Sequence, residues 1–291
     1  MRFSIAVAAL ISISNPVFSQ TQTLLEESMV AANAWPLFTE PDPGGVPAAG
    51  AADTPPGSDN QSSSGQPERD GLVCRSVRRT LQDQKELYLA PLHPSNFKWD
   101  LLVLAGTGAL LATDRRIERQ LPGGNLGTYS NMSNIAIGGL SGTLGSIWMY
   151  GIKTHNEHLK ETGSVGLETL VNAFLVYTPM QFIAGRQRPD TGNNHGDFWR
   201  HHNINTSFPS GHPMFAMSMA TVVAHEYPKT WVKLLAYGTV TTVIAGRLLA
   251  HDHWASDELV GTALGYFIGL HVFHSHCNPQ FSETCHPRSQ D

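Results

Sequence analysis

The chain has 291 residues, 41% of them apolar and only 15% charged, with 19 Lys and Arg against 24 Asp and Glu for a net charge of -5. That length suits one large domain or two small ones, so sparse a charge argues against charge-driven disorder of the whole chain, and the acidic balance leaves no basic field for a nucleic-acid backbone. A mean hydropathy of -0.17 excludes a chain that is membrane-spanning throughout, so polar and apolar residues must be segregated along it.

Residues 1–19 read as a signal peptide. Arg2 supplies a positive charge, Ser4 to Ser14 is uncharged and mostly apolar, and Val17 and Ser19 place small residues at positions −3 and −1 of a cut. The apolar run is too short to cross about 30 Å of hydrocarbon as a helix. The expected location is therefore exported: periplasmic or at the outer face of the cytoplasmic membrane. Residues 20–71 form an exported N-terminal segment containing a linker. Between Pro41 and Pro67 it holds six prolines among small and polar residues, with Val46 its one large aliphatic side chain, too little to offset chain entropy. The expectation here is disorder.

Residues 72–97 read as an amphipathic helix and connector, with Val73, Val77, Leu81 and Tyr88 at helical spacing and an end near Pro91. Such a helix either packs on the domain or lies on a membrane surface. Residues 98–274 then alternate long apolar stretches with short polar turns: 99–113, 134–152, 166–185, 214–227, 231–250 and 257–273. Each is too long for an ordinary strand, which predicts an all-α bundle of about six main helices. Most fall short of the roughly 20 strongly apolar residues that a span needs. An embedded bundle and a soluble one both fit, with membrane contact slightly favoured. Gly138 and Gly142, and Gly261, Gly265 and Gly269, recur every fourth residue and are expected to let helices approach closely. In the polar tail, 275–291, Cys277 and Cys285 lie close enough in sequence to close an oxidised loop, leaving Cys74 outside it.

Three segments carry residue types that bind oxyanions. In the first, a helix containing Gln181 ends at Arg186 and Arg188 before Pro189 forbids continuation. In the second, Pro209-Ser210-Gly211-His212-Pro213 precedes an apolar run, so that Ser210 and Gly211 fall at a helix N-terminus, where free N–H groups favour an anion. In the third, Arg247 is followed by His253 and Asp257, four residues apart. On a helix that spacing lets the carboxylate take the Nδ1 proton of the imidazole and leaves Nε2 as a nucleophile.

In this order and spacing the segments resemble the signature of the type 2 phosphatidic acid phosphatase superfamily. That family includes lipid phosphate phosphatases, bacterial class A acid phosphatases and vanadium haloperoxidases. Its pattern, Lys-x6-Arg-Pro, Pro-Ser-Gly-His and Ser-Arg-x5-His-x3-Asp, is matched by Arg188-Pro189, by Pro209 to His212, and by Arg247, His253 and Asp257. The resemblance covers about residues 98–274. Two positions depart: Gln181 stands where the family has its lysine and Gly246 where it has the serine before arginine. Losing a charge-assisted hydrogen bond costs about 1.5–3 kcal/mol, so weakened phosphate affinity is expected.

The resemblance implies a metal-independent phosphatase acting on a phosphate monoester or diphosphate: a lipid phosphate, a prenyl diphosphate or a small phosphate ester. His253 would form a phosphohistidine, Asp257 would orient it, and His212 would protonate the leaving group. Arg188, Arg247, Ser210, Gly211 and a weakened Gln181 would bind the phosphoryl oxygens. Two alternatives stay open. One is a catalytically weakened or silent membrane binding protein. The other is a vanadium-dependent haloperoxidase, with vanadate as cofactor rather than inhibitor. The 14 histidines contain no His-Glu-x-x-His and no Cys-rich set, so no metal is expected.

Overall fold

The computed structural model describes residues 72–191, 194–200 and 202–286. The signal peptide, the exported segment and the linker assigned to residues 1–71 lie outside these, as does the side chain of Cys74. The described residues form helices and no strand: α1 (Leu72–Leu89), a 3-10 turn (Ala90–Leu92), α2 (Phe97–Glu118), α3 (Leu126–Thr154), α4 (Glu157–Ala184), α5 (Gly211–Glu226), α6 (Thr230–Leu249) and α7 (Ala255–His276). The all-α expectation holds, and each of the six apolar stretches falls, to within one residue, in one of helices α2 to α7.

Capping explains several boundaries. Asn156 accepts the Leu159 N–H at 3.2 Å and starts α4. Gly185, with φ at 53°, ends it in the left-handed region that favours glycine. After α7, Cys277 and Cys285 are joined by a disulfide.

Helix α5 is apolar all round, the pattern of a helix surrounded by others. It contacts α3, α4, α6 and α7. One of its faces packs Met214 and Val222 with Val165, Ala173 and Val176 of α4 and Ile268, Val272 and Phe273 of α7. The other packs Ala216 and Ala220 against Ala236, Val240 and Val243 of α6, with Ile137 and Leu140 of α3 at its edge. Truncating a fully buried side chain such as Met214 or Phe273 to alanine costs about 2–5 kcal/mol.

The two glycine series differ. A Cβ at Gly261, Gly265 or Gly269 would collide with the carbonyl oxygens of Ser210, Met214 and Ser218, so these residues let α7 lie directly on α5. A Cβ at Gly138 or Gly142 would meet nothing within 4 Å. The close approach expected at Gly138 and Gly142 is therefore absent, because that side of α3 faces outward.

Helix α1 docks on α4 and α7 by its polar side. Buried Asp83 accepts hydrogen bonds from His276 Nε2 at 3.0 Å and from Asn172 Nδ2 at 3.0 Å, and Gln84 donates to Asn172 at 2.7 Å. Its apolar residues Val77, Leu81 and Tyr88 are exposed at 53%, 65% and 54%. Leu101, Leu102 and Leu104 of α2, Ile135 and Met149 of α3, and Trp231, Leu234 and Leu235 of α6 are also exposed apolar side chains. Among the described residues two helices are long and apolar enough to cross a membrane, Leu126–Thr154 and Thr230–Leu249.

Candidate active site

The three motifs meet where the α4–α5 loop, the start of α5, the end of α6 and the α6–α7 turn come together. Gln181, on the last turn of α4, is fully buried. Its Nε2 donates to Pro209 O at 2.6 Å, and its Oε1 accepts from Thr206 N at 2.6 Å and Thr206 Oγ1 at 2.7 Å. These bonds brace the loop ahead of Ser210, which contains a cis Phe208-Pro209 bond. Gln181 was expected to contact phosphate weakly. Its amide is instead committed to the loop backbone, so it positions the loop from behind.

Arg186 is likewise a brace. It is buried, with Nη2 2.7 Å from Asp114, Nη1 2.5 Å from Asp257 Oδ1 and 2.7 Å from Ser256 Oγ, and Nε 3.2 Å from Gly196 O. The rings of Phe198 and Trp254 cover the guanidinium at 4.9 and 5.2 Å. Asp114 also accepts the Ser256 N–H at 3.0 Å. Burying such charges is tolerable because every member has partners.

Asp257 spends its second oxygen on Ser207 Oγ at 2.5 Å and on the Trp254 N–H at 3.0 Å, which fastens the start of α7. His253 does not share a helix with it, because α7 begins at Ala255. Asp257 Oδ2 lies 3.9 Å from His253 Nδ1, whereas the Ser207 carbonyl is at 2.8 Å. The direct Asp257–His253 bond read from the spacing is thus replaced by a relay: Asp257 holds Ser207, and Ser207 O holds the ring. A carbonyl can only accept, so Nδ1 carries the proton and Nε2 keeps its lone pair. Burial pushes the His253 pKa well below the usual histidine value, and the positive charges of Arg188 and Arg247 push it further. Both effects favour the neutral ring, the form whose Nε2 lone pair could attack an electrophile.

Arg188 reaches Asn205 Oδ1 at 2.8 Å and Asp252 O at 3.4 Å. Arg247 pairs with Asp252 at 2.9 Å and points Nη1 at Ser130 Oγ at 3.5 Å, while its buried Nε has no partner among the described residues. At the start of α5, the Ser210 N–H is taken by Asp257 O at 3.1 Å, which removes one of the two amides expected to face an anion. Gly211 remains at the first helical position, where the N–H has no intrahelical acceptor. A Cβ on Gly211 would come within 2.8 Å of the Tyr177 ring, so a larger residue there would have to displace that ring. His212 Nε2 lies 3.0 Å from Asn134 Oδ1 of α3.

The structure thus brings His253, Arg188, Arg247, Ser210, Gly211 and His212 together and moves Gln181 and Asp257 into bracing roles. Asp114, Ser207, Asn205 and the α3 residues Ser130 and Asn134 escape the sequence reading. Asp114 had one available signal, as an acidic residue at the end of an otherwise apolar run.

Residues 164–280 match the model of the PAP2 superfamily, the type 2 phosphatidic acid phosphatases, and this segment contains all three motifs. A lipid A 1-phosphatase of Porphyromonas gingivalis is 34% identical over 92 residues, which span 31% of this chain and 18% of that protein. A transmembrane PAP2-type phosphatidylglycerolphosphate phosphatase from Bacillus subtilis, known from a crystal structure, aligns with 20% identity and a TM-score of 0.42, covering 68% of this chain and 93% of that one.

Proposed function

We propose that this chain, whose residues 164–280 match the PAP2 superfamily model, is a phosphatase that hydrolyses the phosphate monoester or diphosphate of a lipid through a phosphohistidine. The observation that carries the reading is His253. Its Nδ1 proton is held by Ser207 O at 2.8 Å, which leaves Nε2 free, and Arg188 and Arg247 lie close enough to depress its pKa.

His253 Nε2 attacks phosphorus in line, forming the P–N bond as the P–O bond to the leaving group breaks. Arg188, Arg247, Ser210 and the Gly211 amide neutralise the equatorial oxygens, where charge concentrates in phosphoryl transfer. Burial, then the charges of Arg247, His253 and Arg188, lower the His212 pKa, so His212 takes up a proton when the anionic phosphoryl group binds, and as the imidazolium it donates that proton to the leaving oxygen. It then accepts one from the water that attacks phosphohistidine and releases phosphate and neutral His253. Asp257 acts through Ser207 to keep the ring aimed. Charge neutralisation comes from the two arginines, so the scheme requires no metal.

A lipid substrate is favoured by the relative's action on lipid A and by the exposed apolar side chains of α1, α2, α3 and α6. In this reading α3 and α6 cross the bilayer, α1 lies at its surface, and the protein is exported. The test is phosphate release by the full chain in detergent from lipid A, phosphatidic acid, a prenyl diphosphate and nitrophenyl phosphate, with His253→Ala alongside. The expected result is release by the wild type from a lipid substrate and none by the variant. Release by neither, or by both, would overturn the proposal.

A further inference from the structure

Helix α3 forms a wall of the site that no motif marks. Ser130, Ser133 and Asn134 are spaced i, i+3, i+4 and share one face of that helix. Ser130 Oγ is 3.5 Å from Arg247 Nη1, and Asn134 Oδ1 is 3.0 Å from His212 Nε2. Ser133, between them, packs on Gly246, the residue before Arg247: a Cβ there would lie 2.8 Å from Ser133 Cβ and 2.8 Å from Tyr129 O.

The Ser133 hydroxyl is fully buried and makes no hydrogen bond among the described residues. That is unusual for this helix. Ser141 and Thr143, two turns on, return their hydroxyls to the carbonyls four residues back at 2.9 and 2.8 Å, the ordinary refuge of a helical hydroxyl. A buried hydroxyl left without a partner costs free energy, so it calls for an explanation. Arg247 Nε, on the residue next to Gly246, is a second buried donor with no partner among the described residues.

We infer that Ser133 is a phosphoryl-binding residue, its hydroxyl donating to an oxygen of the same oxyanion that Arg247 holds. The inference rests on the phosphatase reading and deepens it. It also gives Gly246 a physical role: glycine there admits α3 so closely that a hydroxyl reaches the cradle from α3, whereas a serine at 246 would press on Ser133 and the Tyr129 carbonyl. The hydroxyl that the family motif places before the arginine is supplied across the helix interface.

The test uses the full chain in detergent and two probes, inorganic phosphate and orthovanadate, with affinity read by calorimetry and by inhibition of phosphate release. Ser133→Ala is expected to weaken both anions by about ten-fold or more, the loss of one hydrogen bond to a charged group, with a melting temperature unchanged or raised, since the unpartnered hydroxyl is removed. Ser141→Ala, whose hydroxyl is satisfied within its own helix, should bind both as the wild type does. Unchanged affinity in Ser133→Ala would overturn the inference, and so would a lower melting temperature with unchanged affinity, which is the mark of a packing role. A wild type that binds phosphate but releases none from any ester overturns the phosphatase reading while the Ser133 comparison still stands. One that binds neither anion overturns both.

Discussion

Replacing Arg186 by methionine would remove the one cation between two fully buried carboxylates. Asp114 and Asp257 lie 2.7 and 2.5 Å from its guanidinium, and the three side chains are 3%, 2% and 0% exposed. Methionine approximates the volume but satisfies neither acid. Breaking a buried pair in this way costs about 3–5 kcal/mol, because an uncompensated charge stays in the interior. For a domain of this size each kcal/mol moves the melting temperature by about 2–4 °C, so a fall of about 10 °C is expected. The same substitution at Arg200 removes an exposed pair with Asp197 at 3.1 Å, which contributes at most about 1 kcal/mol. Thermal unfolding of the two variants side by side measures the contrast, and phosphate release by Arg186→Met should fall with it, since Asp257 anchors Ser207 and thereby His253. Equal melting temperatures for the two variants would refute the account of Arg186 as the central brace.

Two other outcomes follow from buried polar geometry. Burial would raise the Asp83 pKa, but hydrogen bonds and charge from His271 and His276 outweigh it and lower the pKa from 3.8 to about 2. A carboxylate pKa depressed by folding stabilises fully above its unfolded value, so the clasp on α1 contributes about 2 kcal/mol above pH 4 and loses it as pH falls towards 2. The protection factors of α1 amides, relative to their intrinsic exchange at each pH, should fall across that window in the wild type and already be low at pH 7 in Asp83→Asn; protection factors independent of pH in both would contradict this. Gln181→Lys should not strengthen phosphate binding although it restores the family's lysine, because ammonium cannot accept the Thr206 N–H that Gln181 Oε1 holds at 2.6 Å. An unpaired buried donor costs about 1–3 kcal/mol, so calorimetry should show weaker binding and a lower melting temperature; tighter phosphate binding would reject the bracing role.

The helices were legible in the sequence because each of the six apolar stretches is long and bounded by turn residues. The α3 wall was not, for a reason visible in its first turns. Leu126 to Ser133 mixes Gly, Thr, Tyr, Ser and Asn, so an apolar criterion starts the helix at Asn134 and discards Ser130 and Ser133 as a turn. Polar residues can extend a helix when they line a site. The amphipathic pattern of α1 was legible, but not its orientation: Asp83 carries a buried hydrogen-bond network and outweighs the apolar stripe, which is left on the outside. Spacing also misassigned the partner of His253. Four residues suggested a direct bond to Asp257, but His253 precedes the helix, and the Ser207 carbonyl that holds it comes from another segment, 46 residues away in sequence. The motif residues themselves were legible because proline, glycine and arginine at those positions restrict the backbone and charge whatever the tertiary setting.

The central claim is that His253 carries the phosphoryl group. Quenching the reaction of the full chain with a phosphate-labelled lipid substrate in base, and locating the label by peptide mass analysis, tests it most directly. The account requires a base-stable, acid-labile phosphoryl group on His253 Nε2 that is absent from His253→Ala. Label on any other residue, or undiminished turnover by His253→Ala, would contradict it.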